Sequence, residues 1–225
     1  MTTLNTQIWL RSISFAIALG LLLFITAGTI RYWQGWVYLI VFFGASIANT
    51  IYLIQNDPAL LERRMRAGPR AEKEKTQKIV LLFAVISFIA IFVVSAFDYR
   101  FKWSPAPFAI VILGDIAVAI GFVIMFLVVK ENTFASATIE VSEGHEVIST
   151  GLYSIVRHPM YSGALLIALG TPLALGSFWG IAVSVLSIGS ILWRLLHEER
   201  YLSEKLPGYN EYREKVRYRL VARIW

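Results

Sequence analysis

Residues 161–193 read YSGALLIALGTPLALGSFWGIAVSVLSIGSILW, an apolar stretch of 33 residues. A helix crossing a bilayer core needs about 20 such residues. The stretch is too long for one straight span and too short for two full spans with a loop. Its middle, Gly170-Thr171-Pro172-Leu173-Ala174-Leu175-Gly176-Ser177, carries the residues that break helices. The reading is a helical hairpin that enters and leaves on one side of a membrane. Neighbouring helices or water must satisfy the backbone at the break.

Upstream, four stretches are long and apolar enough to span: Ser12–Ile30, Tyr32–Ile54, Ile79–Phe97 and Pro107–Val129. The second opens on Tyr32, Trp33, Trp36 and Tyr38, as an interfacial belt does. Pro107 falls in the first turn of the fourth, where its missing N–H costs nothing. The N-terminal run is too long for a signal peptide, and no basic cluster precedes it. Composition agrees: 57% of the 225 residues are hydrophobic and 16% charged, against roughly 45–50% and about 25% in soluble domains. Disordered, collagenous and disulfide-scaffold classes are excluded. The expectation is an all-α integral membrane protein: four transmembrane helices, a C-terminal helical hairpin and a cytosolic cofactor-binding segment. It forms a single domain over residues 1–225, with a four-helix membrane region at 1–130 and a motif-bearing region at 131–225.

Net charge is +6. In a soluble chain this would suggest nucleic acid; here it reflects loops. If the spans alternate, 18 of the 21 Lys and Arg fall on one side and three on the other. The positive-inside rule then places the N-terminus, the 55–78 loop, the 130–160 segment and the tail in the cytosol. The chain has no cysteine, so it has no disulfide and no thiolate nucleophile. No metal site is read.

Polar chemistry clusters on that cytosolic side. Asn132–Tyr161 reads NTFASATIEVSEGHEVISTGLYSIVRHPMY. Thr138–Val141 and Glu146–Ile148 look β-like. His158-Pro159 marks a helix start, with Pro at the first helical position. The unpaired N–H groups there suit a carboxylate. Gly163 admits a ligand or a second helix at close range. On the far arm of the hairpin, Arg194 and Glu198 are spaced i, i+4 and share a helix face. A hairpin makes its arms neighbours, so His158 and Tyr161 meet Arg194 and Glu198 at one mouth. A cationic cofactor bearing an amino-acid group matches this set. Asp115, inside the fourth span, reads as an interhelical hydrogen-bonding group. Tyr209–Arg217 reads as a surface helix with Tyr209, Tyr212 and Val216 on one face. It is either a lipid-surface anchor or a lid.

The pattern Gly151-x-Tyr153-x3-Arg157-His158-Pro159-x-Tyr161-x-Gly163, then Arg194-x3-Glu198-Glu199, then Gly208-x3-Glu211-Tyr212 resembles the isoprenylcysteine carboxyl methyltransferase family. The related phospholipid N-methyltransferases share its His-Pro and Glu-Glu elements. The resemblance covers the chain from Asn132 onward. It implies an integral membrane enzyme using S-adenosyl-L-methionine. It also implies that His145, Glu146, Val147, Ile148, Tyr153, His158, Pro159, Met160 and Tyr161 wrap the cofactor, several through backbone groups. Glu198 would complete that site, and Arg194 would face the acceptor. The implied partners are a lipid-like or prenylated small-molecule acceptor and membrane lipids, with no nucleic acid.

Methyl transfer from a sulfonium is an in-line displacement that needs alignment and exclusion of water. A carboxylate acceptor is already nucleophilic at neutral pH and needs only a cation to position it. Arg194 offers a planar, two-pronged donor set. An amine acceptor needs a base, for which Glu198, Glu199 or His197 are candidates. Arg194 would repel a protonated amine, which favours the carboxylate. Plainer readings stand beside these. His158 could merely anchor a helix, Arg194 and Glu198 could be a surface pair, and Tyr153 and Tyr161 could be interfacial aromatics. Glu199 reads as structural or solvated. A transporter or a non-catalytic lipid-binding protein is the competing class.

Overall fold

The structure is a computed structural model that describes residues 2–65, 75–135, 144 and 146–225. Eight α-helices are found among the described residues: α1 (Thr2–Ala27), α2 (Trp33–Asn56), α3 (Pro58–Met65), α4 (Lys75–Phe101), α5 (Phe108–Glu131), α6 (Pro159–Ala174), α7 (Trp179–Lys205) and α8 (Tyr209–Lys215). A 3₁₀ turn covers Gly151–Ser154. The segments Asn5–Ala27, Trp33–Asn56, Thr76–Phe101, Phe108–Glu131 and Trp179–Lys205 are each long and apolar enough to cross a membrane. The chain is an all-α integral membrane protein.

The four upstream helices fall where their apolar runs predict: α2 and α5 match to within two residues at either end, whereas α1 and α4 start earlier and α1 ends at Ala27 rather than Ile30. The hairpin also forms, and its break lies where Gly and Pro predict. Its arms, however, are unequal. At 16 residues, α6 is about 24 Å long, short of the about 30 Å bilayer core. At 27 residues, α7 is a full span. The apolar bookkeeping ended the second arm at Trp193, where polarity changes. The helix continues to Lys205 because Arg194, Leu195, Leu196, Glu198 and Glu199 are all good helix formers.

The reversal between α6 and α7 is a Schellman turn. The Ser177 amide donates to Pro172 O at 2.8 Å and the Gly176 amide to Leu173 O at 2.9 Å. Gly176 sits at φ +75, a conformation that disfavours any side chain. The start of α7 is then capped through buried Asp98. Its carboxylate accepts from the hydroxyls of Ser177 (2.5 Å) and Ser104. Those hydroxyls in turn accept from Gly180 N at 3.0 Å and Phe178 N at 3.1 Å. A negative charge relayed through two hydroxyls thus meets orphan N–H groups at a helix N-terminus.

The closest helix pairing is between α5 and α6, and it rests on glycines at matching seven-residue spacing. A Cβ on Gly121 would lie 2.7 Å from Gly163 O, and one on Gly163 would lie 2.8 Å from Gly121 O. One turn-pair further along, a Cβ on Gly170 would lie 2.9 Å from Gly114 O, and one on Gly114 would lie 2.2 Å from Ala174 N. Backbone meets backbone at both levels, as small residues permit between membrane helices. The close approach expected at Gly163 is therefore that of a second helix.

Two expectations need correction. Asp115 is buried, but neither carboxylate oxygen has a hydrogen-bond partner among the described residues, so the interhelical hydrogen bond is not made. The nearby hydroxyl of Tyr38 instead pairs with Thr171 Oγ1 at 3.1 Å. The Tyr209/Tyr212/Val216 face of α8 turns inward, packing with Leu206, Val147 and Leu202. It does not anchor the helix to lipid.

Candidate active site

The α6–α7 hairpin brings the N-terminus of α6 beside the second half of α7. His158 is the residue before α6 and Pro159 its first, as the sequence predicts. One turn on, the Tyr161 hydroxyl donates to Glu198 Oε2 at 2.6 Å. Arg194, one turn before Glu198, interacts with the same hydroxyl, and its Nη1 donates to Gln77 Oε1 at 3.3 Å. Gln77 comes from the first turn of α4, which packs along α7. The i, i+4 pair on α7 is thus bridged by a phenol from α6 and steadied by an amide from α4.

Tyr153 joins this group from the 3₁₀ turn. Its hydroxyl accepts from Asn132 Nδ2 at 2.9 Å. Burial, with help from the Glu198 charge, pushes that hydroxyl up to about 12, although the Asn132 contact and Arg64 oppose the rise. Arg64, from α3, donates to Ala135 O at 2.9 Å and meets Met160 Sδ at 3.6 Å. A cation (Arg64) and an anion (Glu198) therefore both act on Tyr153.

A second network sits around the helix from Glu198, on Glu199, which is 4% exposed. Arg157 Nε lies 2.7 Å from its Oε1, a close but poorly angled ion pair. Arg219 Nε donates to Oε2 at 2.8 Å. His158 Nε2 lies 3.4 Å from Oε1 and 3.4 Å from the Tyr209 hydroxyl. The C-terminal segment closes this side by main-chain bonds. The amides of Arg157 and His158 donate to Tyr218 O and Arg219 O, both at 2.9 Å. Ser162 Oγ donates to Leu220 O at 2.6 Å, and the Tyr212 hydroxyl to Tyr153 O at 2.7 Å.

Of the residues singled out from sequence, Tyr153, Tyr161, Arg194 and Glu198 come together, while Met160 packs with Ile8, Leu53, Leu60, Leu61 and Val129 and meets Arg64. The His158 ring is buried against Glu199 and Tyr209. Pro159 is buried beside it. Val147 packs against α8, Ile148 is half-buried and Glu146 is exposed. Glu146–Ile148 forms no strand. His145 and the Thr138–Val141 stretch lie outside the described residues. Sequence reasoning missed Gln77, Arg64 and Asn132. Nothing marks Arg64 among the cations of its loop, and Gln77 looks like one polar residue leading into a span. Glu199 is buried rather than solvated. An open cleft of about 310 Å³ lies on its side of α7, lined by Glu199, Arg200, Glu204, Arg213 and Arg219 among others. Of the residues singled out from sequence it includes Glu199, a candidate base for an amine acceptor, and none of those expected to bind the cofactor.

A helical membrane protein with polar groups gathered between a His-Pro helix start and a Glu-Glu pair within the next helix is the class these features define. Residues 109–207 match the family model of phospholipid methyltransferases. Among curated proteins, the chain is 38% identical over 81 residues to the protein-S-isoprenylcysteine O-methyltransferase of Schizosaccharomyces pombe, covering 33% of each chain. It is 32% identical over 80 residues to protein-S-isoprenylcysteine O-methyltransferase B of Arabidopsis thaliana, covering 33% of this chain and 39% of that one. It is 32% identical over 113 residues to a probable protein-S-isoprenylcysteine O-methyltransferase of Oryza sativa, covering 46% of this chain and 57% of the relative. The matched parts thus span between a third and somewhat over half of those relatives. Those parts of the chain are similar to isoprenylcysteine O-methyltransferases.

Proposed function

We propose that this protein is a membrane methyltransferase that uses S-adenosyl-L-methionine to methylate the carboxylate of a lipid-like, isoprenylcysteine-type acceptor. The observation that carries the reading is the cluster Arg194–Tyr161–Glu198, tied to Gln77 and set where an apolar helix becomes polar. The donor set suits the cofactor: Glu198 offers an anion for its ammonium group and Arg64 a cation for its carboxylate, with Tyr153 subject to both charges. When bound, the cofactor supplies an electrophilic methyl group whose C–S bond breaks as the acceptor O–C bond forms, the electron pair leaving on sulfur with no proton moved. Arg194 holds the acceptor carboxylate, and its planar fork fixes one oxygen in line. Tyr161 keeps Arg194 and Glu198 in register. The apolar helices around this mouth exclude bulk water and admit the acceptor's chain from the bilayer. The N-terminus and the site face the cytosol, by the charge bias of the loops.

The phospholipid methyltransferase match favours a second reading, an amine acceptor. It would need a base at the acceptor and would set an ammonium group against Arg194. Calorimetric titration of the folded protein with S-adenosylmethionine tests the cofactor, and methyl transfer to an N-acylated S-prenylcysteine tests the acceptor. Failure to bind the cofactor in detergent and in lipid alike would sink the proposal. Transfer to a lipid amine but not to the acid would select the second reading.

A further inference from the structure

Gln77 is 1% exposed, and its two amide atoms are treated very differently. Its Oε1 accepts from Arg194 Nη1 at 3.3 Å. Its Nε2 has no hydrogen-bond partner among the described residues. The orientation of the amide is dictated by its neighbour. A guanidinium only donates, so the oxygen must face Arg194 and the NH₂ group must face away. Flipping the amide would set donor against donor. A buried amide donor without an acceptor is costly and calls for an explanation. Here it lies beside the cation that receives the acceptor in the reading above.

We infer that the Gln77 Nε2 group and the Arg194 guanidinium form one cradle for the acceptor carboxylate, and that Gln77 sets the preference for a carboxylate over an amine. This inference rests on the carboxylate reading. The unpaired atom of the cradle, Gln77 Nε2, is a donor, and a guanidinium carries only donors. A carboxylate, which only accepts, satisfies Gln77 Nε2 and carries the charge opposite to Arg194. An ammonium group leaves Gln77 Nε2 unpaired and meets a like charge. Discrimination of this kind is strong because the wrong ligand leaves buried donors unpaired.

The test compares wild type with Gln77→Leu, which removes the amide at similar volume, and Gln77→Glu, which replaces the free donor by an acceptor. Both are assayed with an N-acylated S-prenylcysteine acid and titrated with S-adenosylmethionine. KM for the acid is expected to rise about tenfold or more in Gln77→Leu and further in Gln77→Glu. Cofactor affinity should stay within about twofold of wild type. The methyl ester product, which lacks the anion, should bind both variants nearly as well as wild type. An unchanged KM for the acid overturns the inference, as does a parallel loss of cofactor affinity, which marks a merely structural residue. Wild type alone supplies a further check that needs no variant to fold. As competitive inhibitors, the acid should bind more tightly than the matching primary amide, and the amide more tightly than the amine. Equal binding of acid and amine overturns it. If wild type methylates an amine and ignores the acid, the carboxylate reading itself has failed, an outcome distinct from normal acid methylation by the Gln77 variants.

Discussion

Glu198 and Glu199 are adjacent in sequence, yet about 100° of helical rotation separates their surroundings. Glu198 meets a phenol at the mouth, whereas Glu199 is enclosed by Arg157, Arg219 and His158. Substitutions should separate the two. Glu198→Gln is expected to weaken S-adenosylmethionine binding about tenfold or more while leaving the unfolding midpoint near wild type, read by calorimetry and thermal unfolding. Glu199→Gln leaves buried Arg157 and half-buried Arg219 facing a neutral group. It should cost about 3–5 kcal/mol of stability, read as a lowered unfolding midpoint. Equal stability of the two variants would contradict this assignment. Tyr153 gives a pH signature. Its folded pKa, about 12, lies above the ordinary value of about 10. The unfolded chain therefore loses its proton first. The associated stability is complete below about pH 10 and is lost as pH rises toward about 12. Tyr153→Phe should make the fall in unfolding midpoint shallower over that range. Tyr209 and Tyr212, also raised by burial, supply the slope that remains. At this scale the sequence was partly legible. Spacing put Arg194 and Glu198 on one face, and the His-Pro pair marked the start of α6. The burial of the His158 ring was not legible, because it depends on Arg219 and Tyr209, more than 50 residues downstream.

Among the helices, α5 and α6 are joined by backbone contact at Gly121/Gly163 and Gly114/Gly170. At Gly114 the nearest atoms to an added Cβ are all main chain of Leu173 and Ala174, so no flexible neighbour can give way. Gly114→Ala is expected to destabilise by at least the about 1–3 kcal/mol typical of overpacking, since the clash is with main chain. Gly44→Ala and Gly189→Ala are the controls, because a Cβ at either site meets nothing within 4 Å. In helices α2 and α7 they should be neutral or stabilising by about 0.4–1 kcal/mol. Unfolding in detergent should rank the three variants in that order. The existence of each long helix was legible from apolar length, and the hairpin break from Gly and Pro. The length of α7 was not, because hydropathy reports what a helix is immersed in and not where it ends. Pairing at the glycines was only half legible: Gly163 announced a close approach without naming its partner.

At the scale of the whole molecule, the site is drawn from elements distant in sequence: Arg64 of α3, Gln77 of α4, Tyr161 of α6, and Arg194 and Glu198 of α7. The motifs lie from Asn132 onward, but the α5–α6 glycine contacts and the Gln77–Arg194 bond tie them to the upstream helices. Removal of residues 217–225 would strip Glu199 of Arg219 and the amides of Arg157 and His158 of their acceptors. The shortened chain should lose both unfolding midpoint and S-adenosylmethionine affinity, although none of those residues lies at the Glu198 mouth. Retention of full affinity would show that the entry to α6 holds its shape unaided. Time enters through the same bonds. The start of α6 is synthesised before Tyr218, Arg219 and Leu220, whose carbonyls accept from the Arg157 and His158 amides and the Ser162 hydroxyl. Until those three carbonyls exist these donors stay open, so the entry to α6 can take its finished form only once residues 218–220 have been made.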